Sequence, residues 1–152
     1  MTYDLLIKNG QVVDGSGLPS YRADVAVANG RIAEIGRISA GAAQTIDADG
    51  HIVTPGFIDG HTHMDAQVAW DPLGTCSCYH GVTSVIMGNC GFTLAPCKAE
   101  ERDLVMRNLE RAEDISPEAM NAGIDWSWET FPQYLDAVDS FDKGINYACY
   151  LG

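Results

Sequence analysis

Short apolar runs alternate with turn residues along the first fifty positions of the chain. The dipeptides Asn9-Gly10 and Asn29-Gly30 each separate two such runs, and Asn-Gly in that setting is a strong signal for a two-residue hairpin turn. Residues 14–19 have the composition of a longer loop, and residues 47–50 that of a turn before another strand. The pattern predicts an all-β segment, an antiparallel sheet built from small hairpins.

Beyond His51 the chain alternates between apolar, strand-like runs and segments with helical periodicity. The predicted strands are 52–58, 82–87 and 145–151, and the predicted helices are 73–80, 98–113 and one that begins near Thr130. Strands separated by helices form parallel βαβ units. This order is the opening of either an α/β barrel or a doubly wound sheet, and the pattern alone leaves both open.

Each of the two longer predicted helices has one apolar face. The residues predicted to face inward are Val105, Leu109 and Ala112 in the first helix and Phe131, Leu135 and Val138 in the second. Acidic residues and arginines are expected on the rest of the first helix. Thr130 is the predicted N-cap of the second helix, which tolerates Pro132 in its first turn.

The composition is that of one globular domain, because 46% of the 152 residues are apolar and 20% are charged. A net charge of −12 disfavours nucleic acid as a partner, since phosphate backbones bind clustered cations. We expect neither a membrane span nor export, because the chain has no apolar run of ~18 residues and no secretory signal. Its five cysteines include no CxxC pair, so we expect reduced thiols and a cytoplasmic protein.

Two histidines, His61 and His63, follow an apolar strand. Side chains two positions apart on a strand point to the same face, so both imidazoles are expected to project into one space. Imidazole is a good ligand for Zn²⁺ and similar ions. The alternative is a pair of partly exposed loop histidines, because so short a motif also occurs by chance.

Cys90 strengthens the metal interpretation, because it lies at the end of the next predicted strand. Adjacent strands lie ~4.8 Å apart, so its thiol is expected beside the two histidines. Gly88 and Gly91 allow backbone angles that would direct the thiol toward them. The alternative is a small buried apolar side chain, which is the role expected of the other four cysteines, Cys76, Cys78, Cys97 and Cys149.

The remaining polar candidates have lesser expected roles. Asp59 and Asp65 lie near the proposed metal ligands, where carboxylates more often hydrogen-bond a ligand than bind the ion. Asp71 is a third carboxylate of this region. His51 is expected at the surface, and His80 at the end of a helix, where its charge would favour the dipole.

Two segments carry a resemblance to a known family: GFIDGHTH at residues 56–63 and HGVTSVIMGNCG at residues 80–91. They resemble the amidohydrolase superfamily, specifically its N-acyl-D-amino-acid deacylase (D-aminoacylase) branch. The similarity extends over nearly the whole chain, including residues 4–15, 70–72 and 128–131. The resemblance implies an α/β fold in two parts: strands of a small β-sandwich over 1–54 and the start of a (β/α)₈ barrel, incomplete, over 55–152.

The resemblance also implies a zinc site at the ends of the barrel strands. Most relatives with two metals bridge them with a carbamylated lysine, whereas this branch uses a cysteine, whose position Cys90 matches. His61 and His63 match the first-strand pair, which holds a second, weaker metal in the deacylases. The family also needs two later histidines and a late aspartate as general base, and residues 81–152 contain no histidine. We therefore assign metal ligands but no catalytic residue.

The function implied for the parent enzyme is zinc-dependent hydrolysis of the amide of small N-acyl-D-amino acids. The alternative is a non-catalytic amino-terminal fragment, since a (β/α)₈ barrel needs ~250 residues. In the fragment the barrel cannot close, and its open edge is a predicted surface for self-association. A third interpretation, a β-rich binding module, has only the acidic charge in its favour.

Overall fold

The computed structural model describes residues 2–152, which divide after Pro55 into two compact units. The second unit is Gly56–Gly152, and each unit has its own sheet. No helix in the described range combines the length and the apolar character needed to cross a bilayer. The fold is mixed α/β, with a sheet first and parallel β/α units after it.

The first unit is a single five-stranded sheet. Its strands are β1 (Tyr3–Val12), β2 (Tyr21–Ala28), β3 (Arg31–Gly36), β4 (Ala42–Asp47) and β5 (Ile52–Val53). They lie in the order β3-β2-β1-β4, and β5 pairs with the end of β1. The first three strands are antiparallel, whereas β4 and β5 run parallel to β1. The all-β prediction is confirmed, but the sheet is mixed rather than antiparallel.

The predicted turn at Asn9-Gly10 is wrong, because both residues lie inside β1. Asn9 has a φ of 63°, and the pairing with β2 shifts between Ile7 and Gly10, as at a β-bulge. A Cβ on Gly10 would clash with the Val53 side chain, so this position needs a glycine. A bulge and a hairpin turn favour the same residue types, so the Asn-Gly pair predicted a turn where the strand contains a bulge. The predicted hairpin at Asn29-Gly30 is confirmed and joins β2 to β3.

The second unit alternates three parallel strands with helices. The strands β6 (Phe57–Asp59), β7 (Val82–Met87) and β8 (Asn146–Cys149) lie in that order. The helices are α1 (Thr75–Cys78), α2 (Arg102–Glu113), α3 (Pro117–Gly123) and α4 (Phe131–Ser140), with single 3₁₀ turns at Gln67–Ala69, Asn89–Gly91 and Ala99–Glu101. The predicted alternation is confirmed. The strand predicted over 52–58 is two strands, since β5 and β6 belong to different sheets.

The helices α2 and α4 cover the core of the second unit with faces slightly rotated from those predicted. Met106 and Leu109 are buried in α2, and Tyr134 and Val138 in α4. Ala112 and Leu135, predicted to face inward, are exposed. The short helix α3 was not predicted, although its N-cap Ser116 and the proline after it are a recognisable start signal.

Tyr134 and Trp128 attach α4 and the loop before it to the rest of this unit. The Tyr134 hydroxyl donates to the carbonyl of Asp65 at 3.0 Å, and Trp128 Nε1 donates to the carbonyl of Leu94 at 3.0 Å. Both aromatic rings are buried and pack edge to face at 5.0 Å between centroids. Buried hydrogen bonds of this kind hold the loop that carries Asp65 against the core.

The sheet of the second unit ends in open edges within the described part of the chain, since β6 and β8 each pair only with β7. Large apolar side chains near these strands are exposed, namely Phe57, Ile58, Tyr150 and Leu151. Unpaired backbone groups and exposed apolar residues are features of a surface that associates with another polypeptide segment. Self-association through this edge stays a prediction.

We predict that Thr130→Ala lowers the free energy of unfolding by about 1 kcal/mol. Thr130 caps α4 in a reciprocal arrangement with Gln133, and alanine would leave the Gln133 backbone N–H without its side-chain acceptor. Urea unfolding followed by circular dichroism would measure the change. Ser127→Ala is the matched control, because Ser127 is exposed and takes no part in the cap of α4, and a similar loss there would contradict the assignment.

Candidate metal centre

The loops that follow β6 and β7 lie side by side. The two strands are parallel, with Asp59 paired to Val85, so their carboxyl ends lie at the same edge of the sheet. The first loop carries His61 and His63, and the second carries Cys90. The structure therefore brings together the three residues that the sequence singled out.

The three side chains are close enough to share one ion. Cys90 Sγ lies 3.3 Å from His61 Nε2, and the rings of His61 and His63 are 5.4 Å apart between centroids. The three donor atoms, one from each residue, all lie within 4.8 Å of one another. His61 and Cys90 are exposed and His63 is half-buried, so the cluster opens to solvent.

The donor set suits zinc. Zn²⁺ binds imidazole nitrogen at ~2.0 Å and thiolate sulfur at ~2.3 Å, so tetrahedral geometry separates such a pair by about 3.5 Å. The 3.3 Å between Cys90 Sγ and His61 Nε2 is close to that value. Nitrogen and sulfur donors also favour zinc over magnesium or calcium, which prefer oxygen. The residues present fit a zinc ion.

Cys90 reaches this position through an unusual backbone. Its φ is 60°, and the neighbouring glycines Gly88 and Gly91 have φ values of 80° and 75°. The left-handed region costs a residue with a Cβ about 1–2 kcal/mol. A Cβ at Gly88 would also lie 3.0 Å from the carbonyl oxygen of Tyr150. The sharp turn of three left-handed residues directs the thiol back toward the histidines.

Hydrogen bonds fasten the two loops to each other without any ion. The backbone N–H and the hydroxyl of Thr62 both donate to the carbonyl of Ile86, at 3.0 and 2.9 Å. The Asn89 side chain donates to the carbonyls of Thr62 and Ile86, at 3.2 and 2.8 Å. Since Thr62 lies between the two histidines and Asn89 adjoins Cys90, these bonds fix the positions of all three donors.

Asp65 lies outside the cluster and holds the loop that carries Cys90, here called the cysteine loop; the loop with His61 and His63 is the histidine loop. Its carboxylate accepts a hydrogen bond from the backbone N–H of Gly88 at 3.0 Å. The residue is almost fully buried, and burial raises the pKa of its carboxyl to about 6. Asp65 thus connects the histidine loop to the cysteine loop through a backbone N–H, and not through a hydrogen bond to a ligand side chain as the sequence led us to expect.

Glu113 was missed by sequence reasoning. It is the last residue of α2, its side chain is only 4% exposed, and its Oε1 lies 4.0 Å from His63 Nδ1. Burial, with a smaller contribution from the charge of Asp65, raises the pKa of Glu113 to about 8. Its spacing from buried Leu109 and Met106 places it on the inner face of α2. The i, i+4 relation between Leu109 and Glu113 was the sequence signal that could have placed Glu113 on the buried face.

The other predicted polar residues lie outside the cluster. Asp59 accepts a hydrogen bond from the backbone N–H of His61 at 3.1 Å and does not touch the imidazole. Asp71 accepts from the N–H and hydroxyl of Thr75, the first residue of α1. His51 and His80 are both exposed, and His51 Nδ1 lies 3.0 Å from the carbonyl of Asp49.

All five cysteines of the described chain are free thiols. Cys76 is exposed and Cys78 is half-buried. Cys97 is buried, and burial raises the pKa of its thiol. Cys149 is half-buried on β8, and desolvation raises the pKa of that thiol to about 12. Among the described residues, Cys90 is the one cysteine that lies within reach of the two histidines.

Comparison with known proteins identifies relatives along the whole chain. The sequence profile of the "Amidohydrolase family" matches residues 44–148. A D-aminoacylase from Alcaligenes xylosoxydans xylosoxydans is 39% identical over 99% of this chain and 29% of its own length. An N-acyl-D-aspartate deacylase from the same organism is 40% identical over 98% of this chain and 28% of its own length.

A solved structure shares the fold of the chain. The N-acyl-D-glutamate deacylase from Bordetella bronchiseptica, crystallised with zinc and a phosphonate inhibitor, superposes with a TM-score of 0.81 and 32% sequence identity. The match covers 100% of this chain and 30% of that protein. The chain thus spans less than a third of the length of the relatives described here, and it matches their amino-terminal portion.

We predict that Cys90→Gly is more stable than Cys90→Ala by roughly 1 kcal/mol in the absence of metal. Both variants lack the thiol, so the difference reports the cost of a Cβ at a φ of 60°. Urea unfolding of the two metal-free proteins would measure it. Equal stabilities would show that the loop does not hold this residue in the left-handed region.

We predict that iodoacetamide modifies Cys76 and Cys90 well before Cys97 and Cys149. The first two thiols are exposed, whereas burial raises the pKa of the other two and leaves little thiolate at about pH 8. Peptide mass spectrometry over a time course would give the four rates. Rapid modification of Cys149 would contradict the structure, and Cys78, half-buried, serves as an intermediate reference.

Proposed function

The chain belongs to the amidohydrolase family, and from this membership we propose that the protein is a zinc-dependent N-acyl-D-amino-acid deacylase whose amino-terminal portion is the chain described here. The full-length protein would hydrolyse the amide bond of an N-acyl-D-amino acid to a carboxylate and a free D-amino acid. The relatives named above act on substrates of this class, as their names state. Their shared chemistry supports the choice of substrate.

The observation that carries the proposal is the cluster of His61, His63 and Cys90. Three donors of the types that zinc prefers converge from two loops at the end of neighbouring parallel strands. Exposure of His61 and Cys90 leaves the cluster accessible to an ion and to a small substrate. A structural zinc site would instead be closed by four protein ligands.

The roles of the residues follow from their positions. His61 and His63 would hold the ion through ring nitrogens, and Cys90 would hold it as a thiolate. Thr62 and Asn89 would keep the two loops in register, and Asp65 would anchor the turn before Cys90. When bound, zinc supplies Lewis acid chemistry, which polarises an amide carbonyl and lowers the pKa of water toward ~7.

We propose the same division of the chain that the sequence suggested. Residues 1–54 would contribute strands to a β-sandwich, and residues 55–152 would begin a (β/α)₈ barrel. The sequential parallel order β6-β7-β8 with intervening helices is typical of a barrel, and active sites of barrel enzymes lie at the carboxyl ends of the strands. The candidate metal centre lies at those ends.

A second candidate applies to the 152-residue chain taken alone: it binds metal without catalysing hydrolysis. The cluster offers three donors, and residues 81–152 contain no histidine that could add another. Neither does the cluster include a carboxylate that could serve as a general base. This candidate therefore assigns metal binding to the chain and hydrolysis to the longer protein.

The test is Cys90→Ala in the full-length protein, measured by zinc content and by hydrolysis of an N-acyl-D-amino acid. We expect loss of tightly bound zinc and of activity together, because the thiolate is the charged ligand of the set. Cys76→Ala is the matched control and should change neither, since Cys76 lies outside the cluster. The 152-residue chain should bind less than one equivalent of zinc and show no hydrolysis. Zinc content unaffected by Cys90→Ala would refute the proposal.

A further inference from the structure

Glu113 presents a buried carboxyl group that no hydrogen bond in the described protein satisfies. Both of its side-chain oxygens are inaccessible to solvent and lack a donor. A buried acceptor left without a partner costs about 1–3 kcal/mol. The His63 Nδ1 atom, also buried and also without a partner, lies 4.0 Å from Glu113 Oε1. Two unsatisfied polar atoms thus face each other.

The position of Glu113 makes a negative charge there still less favourable. It is the last residue of α2, where the exposed carbonyl groups form the negative end of the helix dipole. No lysine or arginine of the described chain forms an ion pair with it. Arg102, at the other end of α2, instead lies over the ring of Trp126. Within the described residues, His63 is the basic side chain that lies beside the Glu113 carboxyl group.

The surroundings of His63 leave one ring nitrogen for Glu113 and one for the cluster. The ring packs against Phe92, with 6.1 Å between centroids, and adjoins His61. Nδ1 is directed at the buried carboxyl group, so Nε2 is the nitrogen that remains for an ion. Histidine ligands of metals commonly donate their second N–H to a carboxylate, which fixes the ring and raises its basicity.

We propose that Glu113 is a positioning residue of the metal centre, which accepts the Nδ1–H of His63 and directs Nε2 toward the ion. This inference rests on the proposed metal-binding function. The 4.0 Å separation is about 1 Å longer than a hydrogen bond, so a small movement of either side chain forms it. The ion would supply the positive charge that the buried carboxylate otherwise lacks.

The first experiment is a titration of the 152-residue chain with Co²⁺ alone, followed by the thiolate-to-cobalt absorption of Cys90. Glu113→Leu should weaken Co²⁺ binding about ten- to a hundredfold, the usual effect of losing the carboxylate partner of a histidine ligand. Glu113→Gln keeps an acceptor without the charge and should fall between leucine and wild type. Glu110→Gln, at an exposed position of the same helix, is the matched control and should bind as wild type does.

The second experiment separates positioning from a structural role. The metal-free Glu113→Leu protein should unfold at a temperature no lower than wild type, because leucine removes two unsatisfied buried oxygens. In the Zn²⁺-loaded wild-type chain, NMR should detect a downfield, slowly exchanging Nδ1–H of His63. Glu113→Gln should move this signal upfield, whereas a carboxylate with only a structural role would leave it unchanged.

The outcomes distinguish this inference from the function on which it rests. Wild-type Co²⁺ affinity in both Glu113→Leu and Glu113→Gln would overturn the positioning role and leave the metal centre intact. An unmoved His63 Nδ1–H signal in Glu113→Gln would overturn it as well. Absence of Co²⁺ binding by the wild-type chain would overturn both the inference and the proposed metal-binding function. If Glu113→Leu fails to fold, Glu113→Gln decides by the same two measurements.

Discussion

Parallel pairing of β6 with β7 is the interaction on which the candidate metal centre depends. It brings the carboxyl ends of two strands to one edge, so that a loop with two histidines lies beside a loop with one cysteine. The Thr62, Asn89 and Asp65 hydrogen bonds then hold those loops at fixed distances. A shift of one residue in the pairing would turn alternate side chains to the other face and separate the donors.

Two buried acidic side chains, Asp65 and Glu113, lie next to the cluster and favour the binding of a cation there. Asp65 and Glu113 are both buried, and both have a raised pKa because burial disfavours their charged forms. Each raises the free energy of placing another negative charge nearby, which the effect of Asp65 on Glu113 illustrates. A positive ion close to His63 would reverse this repulsion, so the two acidic side chains and the three donors act in the same direction.

Residue spacing could predict the donors but not their support. Two histidines after one strand and a cysteine after the next are adjacent when the two strands of a parallel βαβ unit pair, as β6 and β7 do, so His61, His63 and Cys90 were accessible from the sequence. The helical pattern places Glu113 four positions after the inward-facing Leu109, but its contact with His63 depends on how α2 packs against the core, which the pattern alone does not show. Asn9-Gly10 failed for a related reason, since a bulge and a turn favour the same residues and only the pairing partner distinguishes them.

The donors are also neighbours in the chain, because His61 and Cys90 are only 29 positions apart. All three donors therefore belong to the β6-α1-β7 segment and the loop that follows it. Neither α4 nor β8 supplies a ligand, so a change in those elements would reach the ion only through the packing that holds the two loops.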